Sequence, residues 1–349
     1  MKIAYIVPSL AQKGPIIVVH DIVCSLLKIK DVSCIDIYYF DDIHDIKFPC
    51  RTTKISLKDK IDFDKYDIIH SHMLRPDFYV FLNKLKGNIK IAKTITTIHQ
   101  FNYQNLKHDF NNSLKAYITS KLWELILIKK DLIITLTKEM QNFYKNLLPL
   151  RNKKIIYIYN GRTFNHSHST RPPQSNNKKI NIGTSCLLTK RKGIDQVLRV
   201  LPYIENVQYH IAGNGPEMEN LKNLAAELGI TEKVIFHGFL NDINSFLSNL
   251  DIFIFPSKSE GFSLSLLEAA AYKLPIIASD IPNFREIFTE NEISFFKLDD
   301  KYSLINAIDI CMKNMPHFSA ASYKKYKLCY TAEKMSLNYY KEYKKLLKS

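Results

Sequence analysis

Short apolar runs alternate with helix-patterned segments along the whole 349-residue chain, and this alternation restricts the fold more than any other feature. The runs expected as strands are Lys2–Val7, Cys34–Tyr39, Asp67–His70, Ile91–Ile98, Asp131–Leu136 and Lys154–Ile158. They continue with Ile180–Cys186, Val207–Ala212, Lys233–Phe236, Asp251–Phe255 and Pro275–Ala278. Helical periodicity fills most of the intervals, as at Pro15–Lys28, Ile194–Leu201 and Pro216–Leu228. Such a rhythm places helices on both faces of parallel sheets. It breaks once, at Phe164–Lys179, which is polar, holds two prolines and has no apolar period, so it reads as a linker.

The expected fold class is therefore α/β, with two Rossmann-like, doubly wound parallel-sheet domains facing across a cleft. The N-terminal domain is expected over residues 1–164, the linker over 165–179 and the C-terminal domain over 180–330. Residues 331–349 are expected as a C-terminal helix that crosses back to the first domain. Doubly wound sheets bind ligands outside the carboxyl ends of their strands, which makes the cleft the expected site.

Composition excludes several classes. Hydrophobic residues make up 46% and charged residues 24%, as in an ordinary folded protein rather than a disordered one. The six cysteines are scattered without a CxxC pair or zinc spacing, and are expected as reduced, mostly buried thiols of a cytoplasmic protein. No uncharged apolar run is long enough to span a bilayer. The net charge of +15 is unevenly spread: residues 1–177 hold 27 Lys and Arg against 15 Asp and Glu, and the remainder hold 22 against 19. The first half thus suits an anionic partner such as a membrane surface. The segment Ser113–Lys130, with Trp123, several leucines and Lys115, Lys121, Lys129 and Lys130, reads either as an interfacial helix or as a core-packed helix with its lysines outward.

Glycine is scarce, ten in all, so its placement is informative. Thr189–Asp195 (TKRKGID) follows a strand and opens a helix, which puts Lys192 and the Gly193 amide at a helix start, a phosphate-binding arrangement. Val207–Ala212 runs into GNGP, a tight turn that lacks the GxGxxG spacing of a nicotinamide enzyme. In DIFIFPSKSEGFSLSLLEAAAYKLPIIASD, a buried strand ends in a loop carrying Glu260. A helix expected over Phe262–Tyr272 follows, its first amides at Phe262, Ser263 and Leu264 open to a pyrophosphate. Glu268 sits on that helix among Leu266, Leu267 and Ala269–Ala271, where a carboxylate needs hydrogen-bond donors such as ribose hydroxyls or a buried cation.

These motifs resemble the retaining glycosyltransferases of family 4, which have the GT-B fold. EGFSLSLLE matches the family's paired-glutamate signature, and Lys192-Gly193, GNGP, His237–Phe239, PSKSEGF and PIIASD follow in its order. Ser9–Pro15, Asp67–His72, Thr96–His99 and Tyr159–Gly161 are similar to its first-half elements. The resemblance implies that Glu260 and His99 are catalytic, Glu260 against the donor sugar and His99 beside the anomeric carbon. It implies donor binding by Gly14, Lys192, Gly193, Gly238, Phe239, Phe262, Ser263, Leu264 and Glu268, with the base near Gly238 and Phe239. The implied reaction moves a hexose-type sugar from a nucleoside-diphosphate sugar, expected as a UDP-sugar, to a saccharide or polyprenyl-linked acceptor in O-antigen, capsule or lipopolysaccharide assembly. Neither a cofactor nor a metal is expected.

Cys186 and Leu187 stand where the family often has an Arg, leaving Lys190 or Arg191 to supply the charge. Asn283 and Phe284 replace a usual glycine pair. His70 and His72 share one face of a strand without a third metal ligand in view. The alternatives are a sugar-nucleotide epimerase of the same fold and a basic nucleic-acid-binding protein; dispersed Lys and Arg speak against the latter. The expected location is cytoplasmic, peripheral on the inner membrane face.

Overall fold

The computed structural model describes residues 1–101, 103, 106, 112–164 and 179–348. Residues 165–178 of the expected linker lie outside the described residues. The chain divides into two compact units: residues 1–163 together with 330–349, and residues 164–329.

The first unit is a seven-stranded parallel sheet of β1 (Lys2–Ser9), β2 (Cys34–Asp41), β3 (Arg51–Lys54), β4 (Ile68–His72), β5 (Lys93–Thr97), β6 (Leu132–Thr135) and β7 (Ile155–Tyr157), ordered β3-β2-β1-β4-β5-β6-β7. The second is a six-stranded parallel sheet of β8 (Ile180–Ser185), β9 (Val207–Ala212), β10 (Val234–Gly238), β11 (Ile252–Phe255), β12 (Ile276–Ser279) and β13 (Ser294–Phe296), ordered β10-β9-β8-β11-β12-β13. Both orders reverse direction once, between β1 and β4 and between β8 and β11. Loops diverge there, leaving a crevice at the strand carboxyl ends. Strands β6, β11 and β12 are buried along their whole length because helices cover both faces, which is why they read as continuous apolar runs.

Two edge strands were not expected from the sequence, β3 and β13. β3 is Arg-Thr-Thr-Lys and largely exposed, so it has neither an apolar run nor a clean alternation to announce it. β13 is only three residues long. Each is held by backbone pairing to a stronger neighbour, Asp36–Tyr39 and Ile277–Ser279 respectively.

The helices of the first unit are α1 (Gly14–Leu26), α2 (Leu74–Leu85), α3 (Ser113–Leu127) and α4 (Lys138–Asn146). Those of the second are α5 (Ile194–Val200), α6 (Met218–Glu227), α7 (Ile243–Ser248), α8 (Leu264–Ala271), α9 (Pro282–Ile287), α10 (Lys301–Lys313) and α11 (Met315–Cys329). The last, α12 (Ala332–Lys348), packs on α1 and so completes the first unit.

Helix α3 departs from the core-packed reading of its sequence at one lysine. Its inner face holds Ala116, Ser120, Trp123, Ile126 and Leu127, so the tryptophan is a core residue. Lys130 is also buried: its ammonium lies 3.1 Å from the Asp77 carboxylate and donates to Ser71 Oγ at 2.5 Å. Asp77 further accepts from Ser71 Oγ at 2.6 Å and Trp123 Nε1 at 2.8 Å, and this closed set of donors offsets the desolvation of both charges. On the opposite face Leu114, Tyr117, Ile118, Leu122 and Leu125 are exposed at helical spacing. The cysteines also differ from expectation. All six are free, but Cys311 is buried, Cys329 is exposed and the other four are half-buried.

Candidate active site

In the second unit, β8 and β11 are neighbours at the point where strand order reverses, so their carboxyl-terminal loops lie side by side. The β8 loop ends in a short 3₁₀ turn, Lys190–Lys192, closed by Gly193 at φ 62°. A side chain at Gly193 would bring its Cβ to 2.2 Å from the Pro256 carbonyl oxygen, so both backbone sign and space require glycine. The β11 loop docks onto this turn: the Lys258 amide donates to the Arg191 carbonyl at 2.8 Å, and Gln196 Nε2 donates to the Pro256 carbonyl at 3.0 Å.

The docked loops bring Glu260 against two cations. Its Oε1 lies 2.6 Å from Lys192 Nζ and its Oε2 3.1 Å from Arg191 Nη1. Burial alone would push the carboxyl pKa up; Lys192 and then Arg191 overcome this and hold it below the usual carboxylate range. Arg191 also donates to the Ser259 carbonyl at 2.5 Å, so it clasps the loop while facing the carboxylate. Of Lys190 and Arg191, the two residues left to supply the charge absent from Cys186 and Leu187, Arg191 is the one within ion-pair distance of Glu260.

Asn283, near the start of α9, explains another departure. Its Nδ2 donates to the carbonyls of Glu260 and Gly261, each at 2.6 Å, and braces the backbone that carries the glutamate. From the sequence, Arg191 was named only as an alternative to Lys190 for the missing family Arg, and Asn283 only as a departure from the usual glycine pair.

Downstream of Glu260, Phe262 and Ser263 are buried, and α8 begins at Leu264 without a side-chain cap. The helix is thus two residues shorter at its start than its sequence pattern suggested, and Ser263 occupies the cap position. Glu268 lies in its second turn, 7% exposed and on a face of alanines and leucines. Beyond β9, the Gly213 amide donates to the Gly238 carbonyl at 2.7 Å, linking GNGP to the end of β10. Gly238 is left-handed at φ 66°, and the next residue, Phe239, is 66% exposed, a large apolar ring offered to solvent. Lys192, Gly193, Glu260, Phe262–Leu264 and Glu268 therefore gather around the β8–β11 switch point, while Gly238 and Phe239 end the outer strand β10.

The first unit carries its own group at its own switch point. Gly14 opens α1 just beyond β1, with Pro15 in the first turn, and its backbone is not left-handed. His99 lies two residues beyond β5, half-buried, with Nε2 2.8 Å from Nδ1 of His72 on β4. Burial lowers the His99 pKa to about 3 and holds those of His70 and His72 well below the ordinary histidine value. All three rings are therefore neutral at physiological pH. Among the described residues there is no cluster of three or more metal-ligating side chains.

Known proteins share this organisation. Residues 168–328 match the family described as glycosyl transferases group 1, and residues 44–163 match glycosyltransferase family 4. The O-antigen biosynthesis glycosyltransferase WclY of Escherichia coli is 35% identical over 360 residues, covering 100% of this chain and 99% of that protein. The E. coli UDP-Gal:alpha-D-GlcNAc-diphosphoundecaprenol alpha-1,3-galactosyltransferase is 27% identical over 279 residues, 73% of this chain and 68% of that one. Among solved structures, sucrose-phosphate synthase from Thermosynechococcus elongatus superposes with a TM-score of 0.79 at 17% identity, over 99% and 98% of the two chains. Anabaena HepE in complex with UDP-glucose gives 0.76 at 14% identity, over 98% and 99%. With both halves matched and a full-length relative at 35% identity, the chain belongs to the family 4 glycosyltransferases and has the GT-B fold.

Proposed function

We propose that this glycosyltransferase moves a hexose-type sugar from a UDP-sugar to a polyprenyl-linked saccharide during O-antigen or lipopolysaccharide-type assembly, with retention at the anomeric carbon and without a metal. The observation that carries this reading is Glu260 flanked by Lys192 and Arg191 at the β8–β11 switch point. Cleaving the bond between anomeric carbon and phosphate oxygen develops positive charge on the sugar and negative charge on the departing diphosphate. Lys192, Arg191 and the first amides of α8 offer the leaving group fixed positive charge, the task a divalent cation would otherwise perform. Glu260 supplies the opposite sign toward the sugar. The acceptor hydroxyl attacks from the face the diphosphate leaves, and its proton passes to the departing phosphate oxygen. Glu268 accepts from the ribose hydroxyls, and Gly238 and Phe239 meet the base.

The choice of acceptor follows the relatives, one named for O-antigen biosynthesis and one acting on a diphosphoundecaprenol-linked sugar. The outer face of α3 supports the same choice. Leu114, Tyr117, Ile118, Leu122 and Leu125 form an exposed apolar stripe beside Lys115 and Lys129, which suits an anionic bilayer surface. Among the described residues no helix is long and apolar enough to cross a membrane, so attachment by this face is peripheral.

The test is a transfer assay pairing UDP-, GDP- and ADP-sugars with a polyprenyl-diphosphate saccharide, the product anomer being read by NMR. Product of the donor's own configuration, formed with EDTA present, supports the proposal. Inversion, a need for metal, or conversion of the donor alone into its epimer overturns it. For the bilayer contact, Ile118→Glu is expected to abolish co-sedimentation with phosphatidylglycerol vesicles; equal and salt-insensitive binding to phosphatidylcholine vesicles rules that contact out.

A further inference from the structure

His72 has no role in the chemistry so far, yet the first unit is built closely around it. The ring is fully buried on β4. Its Nδ1 meets His99 Nε2 at 2.8 Å, while its own Nε2 is buried and has no hydrogen-bond partner among the described residues. Behind it, 4.4 Å between centroids, lies the His70 ring. Both nitrogens of His70 are engaged, Nδ1 with Tyr343 Oη at 2.6 Å and Nε2 with Thr97 Oγ1 at 2.9 Å. Tyr343 Oη meets Tyr5 Oη at 2.8 Å, and Thr97 Oγ1 meets Tyr339 Oη at 3.1 Å. His70 is thereby fixed by two tyrosines of α12, and His72 lies between it and His99, whose ring is tilted by 34° with its centroid 5.1 Å away.

Counting protons selects one arrangement of the outer pair. Each neutral ring carries a single N–H, and the 2.8 Å contact uses one N–H and one lone pair. Were His99 the donor, His72 would carry its proton on Nε2, a buried N–H with no acceptor among the described residues. Were His72 the donor, only a lone pair would be left unmatched at that nitrogen. Buried orphan N–H groups are rarer than unmatched acceptors.

We propose that His72 is a positioning residue for His99: it donates from Nδ1 to His99 Nε2, fixing ring orientation and tautomer so that His99 presents an Nδ1–H donor to the substrate and no free basic nitrogen. The inference rests on the reading that His99 acts in sugar transfer, and it assigns the ring's task as hydrogen-bond donation rather than proton abstraction. Burial keeps all three histidines neutral, so the tautomer persists across the physiological range.

Two measurements test this on the full chain. In ¹⁵N-histidine spectra, His99 is expected with a protonated Nδ1 and a bare Nε2; the reverse tautomer overturns the proposal without touching the reading of His99 as a catalytic group. In the transfer assay, with the most active UDP-sugar and polyprenyl acceptor pair, His72→Phe is expected to lower kcat about tenfold, the scale of one neutral hydrogen bond, with donor KM unchanged. His72→Asn places an amide donor at the Nδ1 position and is expected to restore most of that loss. His72→Phe added to His99→Ala is expected to cost nothing further. An equal loss from His72→Phe with and without His99 overturns the positioning role alone. An unimpaired His99→Ala removes the catalytic reading, and the proposal with it.

Discussion

Glu268 shows how one buried carboxylate divides a structural from a functional reading. It is 7% exposed among alanines and leucines, and its proposed partners are ribose hydroxyls. Glu268→Ala is expected to weaken UDP binding by about 1.5–3 kcal/mol, the worth of hydrogen bonds to a charged group, as read by titration calorimetry. Glu260→Gln should act differently, because Lys192 and Arg191 lose the charge that holds them. Turnover is expected to fall about a hundredfold or more while UDP affinity holds or rises, since the diphosphate then has the two cations to itself. Loss of UDP affinity alone, with turnover intact, would place Glu260 in binding rather than chemistry. At this scale the sequence was readable where residue type and spacing carry the chemistry, as in the two glutamates eight positions apart. It left Lys190 and Arg191 as alternatives, because three adjacent basic residues, Lys190–Lys192, look alike until the turn fixes which of them face Glu260.

Helix α3 marks the limit of legibility for elements. Lysine is so rarely buried that Lys130 reads as surface, and only the Asp77, Ser71 and Trp123 contacts reveal why it is not. Those partners come from α2, β4 and α3 itself, a convergence no local pattern encodes. Lys130→Met is expected to destabilise the first unit by roughly 3–5 kcal/mol, since it strands the Asp77 charge in the core. Trp123 is the chain's one tryptophan and donates to that carboxylate, so its fluorescence in a urea titration reports the change directly. A midpoint within error of the parent would show that Asp77 needs no counter-charge. The central strands posed no such problem, because burial on both faces leaves an apolar run that survives in the sequence; β3 and β13, held mainly by a neighbour's backbone, leave none.

The whole molecule inherits a pH dependence from its neutral histidines. His70 and His72 are fully buried with lowered pKa values, whereas in the unfolded chain each protonates near 6.5. As pH falls through 6.5 the unfolded state takes up protons first, so their contribution is complete above that value and erodes below it. The ceiling is about 1.4 kcal/mol per pH unit for each of the two rings. The urea midpoint followed by Trp123 is therefore expected to drop between pH 7.5 and 5.5. Glu260 does not oppose this, because its carboxyl titrates below 4.5 and stays ionised throughout that window. An unchanged midpoint would mean that water reaches the histidines.

The return of α12 to the first unit has a consequence for biogenesis. Tyr339 and Tyr343, which fix His70, are translated only after the entire second unit has been made. The nascent first unit must wait with the flank of α1 bare and its histidine row unclamped while some 166 residues of another sheet emerge and fold. A chain cut short before residue 332 would hold its second sheet tethered to a first one still lacking its closing strut.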